Sequence, residues 1–203
     1  TQDIDNADGT KATYAPDVAR GADGKYYLYY GLADDNKIGV AVCDSPAGEY
    51  QFLGCVQDKN GEYWGRRPQD FMPFDPGILV DDGRVYLYAG QGPMIDKMAE
   101  NEYKQHVRDS AYFVELETDM LTMKHEPVRL LPNLMNSAGT GFEDHEFFEA
   151  NSIRKYEGKY YFIYSSVQSH ELCWTVSDRP DGGFTFGGVL TSNGDVGPLG
   201  FLS

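Results

Sequence analysis

Cysteine, basic residues and long apolar runs are all scarce in this sequence, and each scarcity excludes something. Cysteine occurs only at Cys43, Cys55 and Cys173, too few and too scattered for a disulfide framework or a zinc site. Cys43 and Cys55 could meet on neighbouring strands, but two small reduced hydrophobes are the expectation. Lys and Arg total 17 against 32 Asp and Glu, a formal net charge of −15. Such a charge repels phosphates and anionic headgroups, which argues against nucleic acid or a membrane surface as partner. No apolar run approaches the ~20 residues of a membrane span, and the first residues show no basic region leading into an apolar one. Nothing selects between the cytoplasm and export, so the localisation of this soluble chain stays open.

What is present points to a packed protein. The 203 residues are 41% hydrophobic and 14% aromatic, beyond what a disordered chain carries, and their number suffices for one sizeable core or two small ones. Tyrosine (15) and glycine (23) stand out: tyrosine suits half-buried pleated surfaces, and glycine marks turns between short strands. The acidity serves solubility, or it gathers carboxylates at a site for a neutral, polyhydroxylated ligand.

The chain repeats itself. Tyr14-Ala15-Pro16-Asp17-Val18 leads through Asp23-Gly24-Lys25 into Tyr26-Tyr27-Leu28-Tyr29-Tyr30. Phe74-Asp75-Pro76-Gly77-Ile78 leads through Asp82-Gly83-Arg84 into Val85-Tyr86-Leu87-Tyr88. Phe148-Glu149-Ala150-Asn151-Ser152-Ile153 leads through Glu157-Gly158-Lys159 into Tyr160-Tyr161-Phe162-Ile163-Tyr164. An acidic-Gly pair ahead of an alternating aromatic run is a hairpin signal, because glycine supplies the positive φ of the turn. Further strands are expected at Ile38 to Cys43, Gln51 to Val56, Ala111 to Glu115, Val128 to Leu131, Leu172 to Ser177 and Phe184 to Gly187. Four short strands per unit make an all-β protein with β-propeller blades at approximately 13–58, 74–131 and 148–190, in one domain. A sandwich of paired hairpins is the other architecture with this pattern. The single helix expected is short, within Met94 to Tyr103. Three blades do not close a ring, so the reading is a partial propeller, truncated at both ends or completed by other copies as a homo-oligomer.

In a propeller the innermost strand of each blade lines a central channel, so residues at its start share one funnel. This places Asp17, Asp75 and Glu149 together. Convergent carboxylates suit glycoside hydrolysis, in which one carboxyl protonates the leaving oxygen and an ionised one activates water or attacks the sugar. Glu149 is the candidate acid, since Phe147, Phe148 and Ala150 flank it and an apolar setting favours the protonated form. Asp75 reads otherwise as a turn carboxylate before Pro76-Gly77, and Asp17 as the acceptor of a loop-closing hydrogen bond.

These same segments resemble the signatures of glycoside hydrolase family 43, in the same order and with the Gly-Lys-Tyr-Tyr strands behind the first and third. The resemblance runs from about Thr13 to Gly187. It implies a five-bladed propeller enzyme that removes arabinose or xylose from plant polysaccharides with inversion, as an arabinofuranosidase or xylosidase does. It places the general acid on Glu149 and a carboxylate that tunes and orients it on Asp75, with Asp17 at the edge of the site. The family's general base lies upstream of the motif at Tyr14, and the context of Asp3, Asp5 and Asp8 does not match it, so the base is unassigned here. The blade from which complete relatives offer a histidine near a central ion, a structural calcium, is also unmatched; no cofactor or metal is expected of this chain. Weak or no turnover is the expectation unless another chain supplies the base. A noncatalytic carbohydrate-binding or self-assembling propeller module is the alternative.

Around the acids, Tyr14, Trp64, Phe74 and Phe148 are candidate substrate contacts, with Phe71 and Trp174 as further stacking surfaces; Trp174 reads better as core. Arg66 and Arg67 would donate to sugar hydroxyls or stay solvated. His145 and His170 read first as surface histidines and otherwise as lining of the pocket, and the four histidines show no metal-ligand spacing. Glu143-Asp144-His145-Glu146 reads as a solvated loop.

Overall fold

The computed structural model describes residues 12–32, 35–93, 108–168 and 170–192. Its twelve strands form three sheets of four, each wound in chain order from the inside outwards. The first sheet contains β1 (Thr13–Arg20), β2 (Tyr26–Leu32), β3 (Asp35–Cys43) and β4 (Gln51–Cys55). The second contains β5 (Gly77–Asp81), β6 (Arg84–Gly90), β7 (Ala111–Leu116) and the two-residue β8 (Val128–Arg129). The third contains β9 (Phe147–Tyr156), β10 (Lys159–Ser166), β11 (Leu172–Ser177) and β12 (Thr185–Thr191). Within each sheet all strand pairings are antiparallel, and β1 lies against β5 as β5 lies against β9. These are three blades of a β-propeller, with the innermost strands on one side. The helix expected within Met94 to Tyr103 lies outside the described residues, as do Asp3, Asp5 and Asp8.

The acidic-Gly turns behave as their chemistry dictates in two of three copies. Asp82 and Gly83 (φ 49° and 75°) join β5 to β6, and Glu157 and Gly158 (φ 48° and 77°) join β9 to β10. Two consecutive positive φ values make the two-residue turn whose twist matches paired strands. The first copy differs. β1 and β2 are joined by a longer loop closed by Gly21 N–H donating to the Lys25 carbonyl (2.8 Å), and the Tyr27 hydroxyl donates to Asp23 Oδ2 (2.8 Å).

Alternation in the second strands sends successive side chains to opposite faces, and so into two separate cores. Tyr27 and Tyr29 meet Val85, Leu87, Tyr112 and Val114 between the first and second blades. Tyr86 and Tyr88 meet Tyr160, Phe162 and Phe184 between the second and third. Buried tyrosine requires a partner for its hydroxyl. Tyr29 donates to the Met120 carbonyl (2.7 Å) and Tyr88 to the Pro180 carbonyl (2.8 Å), each a backbone acceptor in the next blade. On the far face of the third blade, Tyr161, Ile163 and Trp174 are only half-buried.

The cysteines are all free. Gly39 pairs with Cys55 and Val42 with Gln51, which sets Cys43 at the opposite end of the ladder from Cys55. A disulfide between them is therefore ruled out by register.

Candidate active site

β5 begins at Gly77 opposite Tyr88, near the end of β6, and β9 begins at Phe147 opposite Ser166, the end of β10. The strand starts carrying the repeated motif therefore crowd one end of the molecule. The backbone there is unusual: Ala15, Asp75 and Ala150 all have positive φ (39°, 49° and 65°). Non-glycine residues in this region are strained and are held by their surroundings.

The surroundings are specific. Ala150 N–H donates to Asp75 Oδ2 (2.9 Å). Asn151, itself buried, donates through Nδ2 to the carbonyls of Phe74 (3.2 Å) and Asp75 (2.9 Å). Gly90 N–H donates to the Phe74 carbonyl (2.8 Å), and Gly92 N–H to the Phe148 carbonyl (2.6 Å). A Cβ on Gly92 would lie 2.1 Å from the Phe147 carbonyl oxygen, so only glycine permits this approach. The outcome is a rigid junction in which Asp75 fixes the residue after Glu149.

Asp75 is 8% exposed. Burial pushes its carboxyl up to about 6, opposed by the Ala150 hydrogen bond and reinforced by the charge of Glu149. Glu149 is half-buried; its Oε2 accepts from Gln91 Nε2 (3.0 Å). Its Oε1 faces His170 Nδ1 across 4.0 Å, too far for a direct hydrogen bond. Burial lowers the Arg108 guanidinium below its usual range, and the Glu149 charge opposes that shift. Gln91 Oε1, Asn151 Oδ1 and Arg108 Nε are buried without a hydrogen-bond partner. Orphaned buried polar atoms are rare in native proteins. Here they flank a pair of carboxylates, where hydroxyl groups of a ligand would satisfy them.

Because its proton is held more tightly in the folded state than in the unfolded one, Asp75 opposes folding increasingly as pH rises through about 6. At pH values below its ordinary 3.8 the penalty disappears. Asp75→Asn keeps an acceptor for Ala150 N–H and removes the charge. The variant is expected to be more stable than wild type at pH 8, by up to about 3 kcal/mol, and no more stable at pH 3. Urea midpoints at the two pH values check this, and an equal shift at both would contradict it.

Asp17 stands apart from this pair. Its Oδ2 accepts from Ile78 N–H (3.0 Å) and its Oδ1 from Val18 N–H (2.9 Å), with Arg154 Nη1 3.5 Å away. It fastens β1 to β5 much as Asp75 fastens β5 to β9. Tyr14 is exposed with its ring 6.2 Å from that of Phe74, and the buried Phe148 meets the His170 ring edge-on at 5.1 Å. Tyr14, Phe74, Phe148 and His170 therefore line the same end as the carboxylates.

Four expectations need correction. Trp64 is not a sugar platform: it is 2% exposed and packed in the core between the first two blades. Its polar loop folds inward because Trp64 N–H donates to the Val56 carbonyl (3.0 Å) and Gly65 N–H to Asp70 Oδ2 (2.7 Å). Arg67 is not solvated; it is buried against Asp70 (2.7 Å) and Glu126 (2.8 Å), and Arg66 pairs with Asp35. His145 turns away from Glu149, its Nδ1 2.8 Å from Glu171 Oε2 and its ring stacked 4.8 Å from Phe186. In the same loop Glu143 and Asp144 are exposed as expected, but Glu146 is buried and accepts from Ser137 Oγ (2.5 Å). Phe71 stacks on Tyr112 at 4.9 Å.

Gln91 and Arg108 were missed in the sequence. They bound the insertion between β6 and β7, and their positions at the site-side ends of those strands were the available signal. As for the implied calcium, one set of three potential ligands lies close together among the described residues, His145, Glu171 and Cys173. Its sulfur and nitrogen donors do not suit that hard cation, so this set does not fit calcium.

A β-propeller whose blade starts gather a buried aspartate and a glutamate is built like the propeller glycosidases. The family model for glycosyl hydrolases family 43 matches residues 1–146, and the chain belongs to that family. A xylosidase/arabinosidase of Thermoclostridium stercorarium is 48% identical over 196 residues, 97% of this chain and 40% of that one. One from Bacteroides ovatus is 34% identical over 188 residues, 83% of this chain and 53% of the relative. Among solved structures, an α-L-arabinofuranosidase from Clostridium thermocellum superposes with a TM-score of 0.63 at 30% identity, over 88% of this chain and 52% of that one. A β-xylosidase/α-arabinofuranosidase from a compost metagenome, solved with xylotriose, gives 0.64 at 29% identity over 89% and 57%. The chain thus spans about half the length of these relatives.

Proposed function

We propose that this chain contributes the acid half of an inverting glycosidase site for arabinose- or xylose-containing glycans of plant type. Glu149 protonates the leaving oxygen, and Asp75 orients the acid and supplies the neighbouring negative charge. The general base is unassigned. The observation that carries the reading is the convergence of Asp75 and Glu149 from adjacent blades, tied through Ala150 N–H at 2.9 Å and ringed by the orphaned polar atoms of Gln91, Arg108 and Asn151. The unpaired donors and acceptors suit a neutral sugar better than an anion, given the net charge of −15. The assignment to arabinose or xylose and to inversion draws on the family likeness.

A noncatalytic sugar-binding module is the second reading. One observation favours it: Asp17, the third acid of the repeat, is engaged by backbone N–H groups and is not free to activate water. The test is hydrolysis of chromogenic arabinofuranoside and xyloside by the purified chain, alongside calorimetric titration with arabinose and xylose. Turnover that depends on Glu149 supports the glycosidase. Saturable binding without turnover supports the module, and neither turnover nor binding overturns both.

A further inference from the structure

His145, Glu171 and Cys173 lie away from the carboxylate pair and take no part in the proposed reaction. His145 sits in the connection between β8 and β9, Glu171 in the connection between β10 and β11, and Cys173 on β11. One ligand atom from each, an imidazole nitrogen, a carboxylate oxygen and the thiol sulfur, lies within 4.8 Å of the others. We propose that these three side chains form a binding site for a borderline transition-metal ion, Zn2+ being the best match, with the fourth coordination position open.

The donor set selects the metal. Sulfur, imidazole and carboxylate suit Zn2+ and disfavour calcium or magnesium. Tetrahedral zinc holds such ligands roughly 3.3–3.8 Å apart, so closing the site needs shifts of about 1 Å or less. The groups are also held from behind, as metal ligands usually are. The His145 ring stacks on Phe186 at 4.8 Å and 10°, and the Tyr164 hydroxyl fixes the His145 carbonyl (2.6 Å). Ser166 Oγ donates to Glu171 Oε2 (3.1 Å). Cys173 is 0% exposed, which shields a metal–sulfur bond from solvent. A thiolate and a carboxylate around a dication leave no net charge to bury, provided the imidazole is neutral. Burial raises the thiol to about 11, so it is protonated until a metal arrives. Binding then releases the thiol proton to solvent, and the proton that Nδ1 shares with Glu171 Oε2 (2.8 Å) moves to Nε2 by exchange with water as Nδ1 takes the metal, so one proton is released in all. The ion would tie the connection that leads into the Glu149 strand to the connection between β10 and β11, which carries His170.

The rival account is a His–Glu ion pair beside an inert thiol. Chelator-treated chain is titrated calorimetrically with Zn2+, and with Co2+ by absorption spectroscopy. The expected result is uptake of one ion per chain, release of about one proton per ion, and a thiolate-to-cobalt charge-transfer band. That band is expected to vanish in Cys173→Ser and to persist in Cys43→Ser. His145→Asn is expected to weaken zinc binding at least about tenfold, and this half-buried position keeps the test informative if Cys173→Ser does not fold. Absence of uptake by wild type, or a band and affinity unchanged in Cys173→Ser and His145→Asn, would overturn the proposal.

Discussion

With the general base supplied by a partner chain, replacing Glu149 with Gln is expected to lower turnover of a xyloside or arabinofuranoside by about 10²–10⁴-fold, the usual contribution of a positioned general acid. Glutamine fits the same space and can still meet Gln91, whose Nε2 lies 3.0 Å from Glu149 Oε2, but it carries no transferable proton. The loss should depend on the leaving group. An aryl glycoside with an acidic phenol departs with little protonation and should lose least. An oligosaccharide, whose leaving alkoxide needs the proton, should lose most. That gradient separates an acid from a structural residue, whose removal would slow both substrates equally. Sugar affinity measured by calorimetry should change little. Equal losses on both substrates would remove Glu149 from the acid role.

Trp64→Ala is expected to destabilise the fold by about 3–5 kcal/mol, as truncation of a fully buried large aromatic does. Trp64 is 2% exposed and shares a core with Tyr29, Ile38, Leu87 and Val114, so its loss opens a cavity between two blades rather than within one. The site residues Asp75 and Glu149 belong to a different interface, the one between the second and third blades. Trp64→Phe should therefore unfold at lower urea than wild type yet bind arabinose or xylose with unchanged affinity. A loss of sugar affinity in Trp64→Phe without a loss of stability would restore the tryptophan to the binding surface.

The two corrections at Trp64 and Arg67 share one cause. A polar loop such as Glu62-Tyr63-Trp64-Gly65-Arg66-Arg67 reads as solvent-facing when only its neighbours in sequence are counted. Three carboxylates distant in sequence or across a turn, Asp58, Asp70 and Glu126, draw Arg67 inward, and the loop's tryptophan goes with it into a core built by other blades. Propensity and local polarity contain no information about such partners. Asp75 illustrates the same point in the opposite direction: a turn aspartate before proline is ordinary in sequence, and burial by a neighbouring blade makes it a carboxyl pushed up to about 6.

What the sequence determined by itself was the repeat. Alternating aromatic strands behind acidic-Gly turns specify a hairpin in each unit, because side-chain period and turn φ are local properties of those residues. The alignment of the units then placed Asp17, Asp75 and Glu149 at equivalent strand starts. Tertiary structure alone decided what each acid does there. Asp17 became a clamp on Ile78 N–H, Asp75 a buried carboxyl fixing Ala150, and Glu149 a half-buried group between Gln91 and His170. Equivalent positions received different burial and different partners because each faces a different neighbouring blade, and charge, desolvation and hydrogen bonding are set by what lies across that gap.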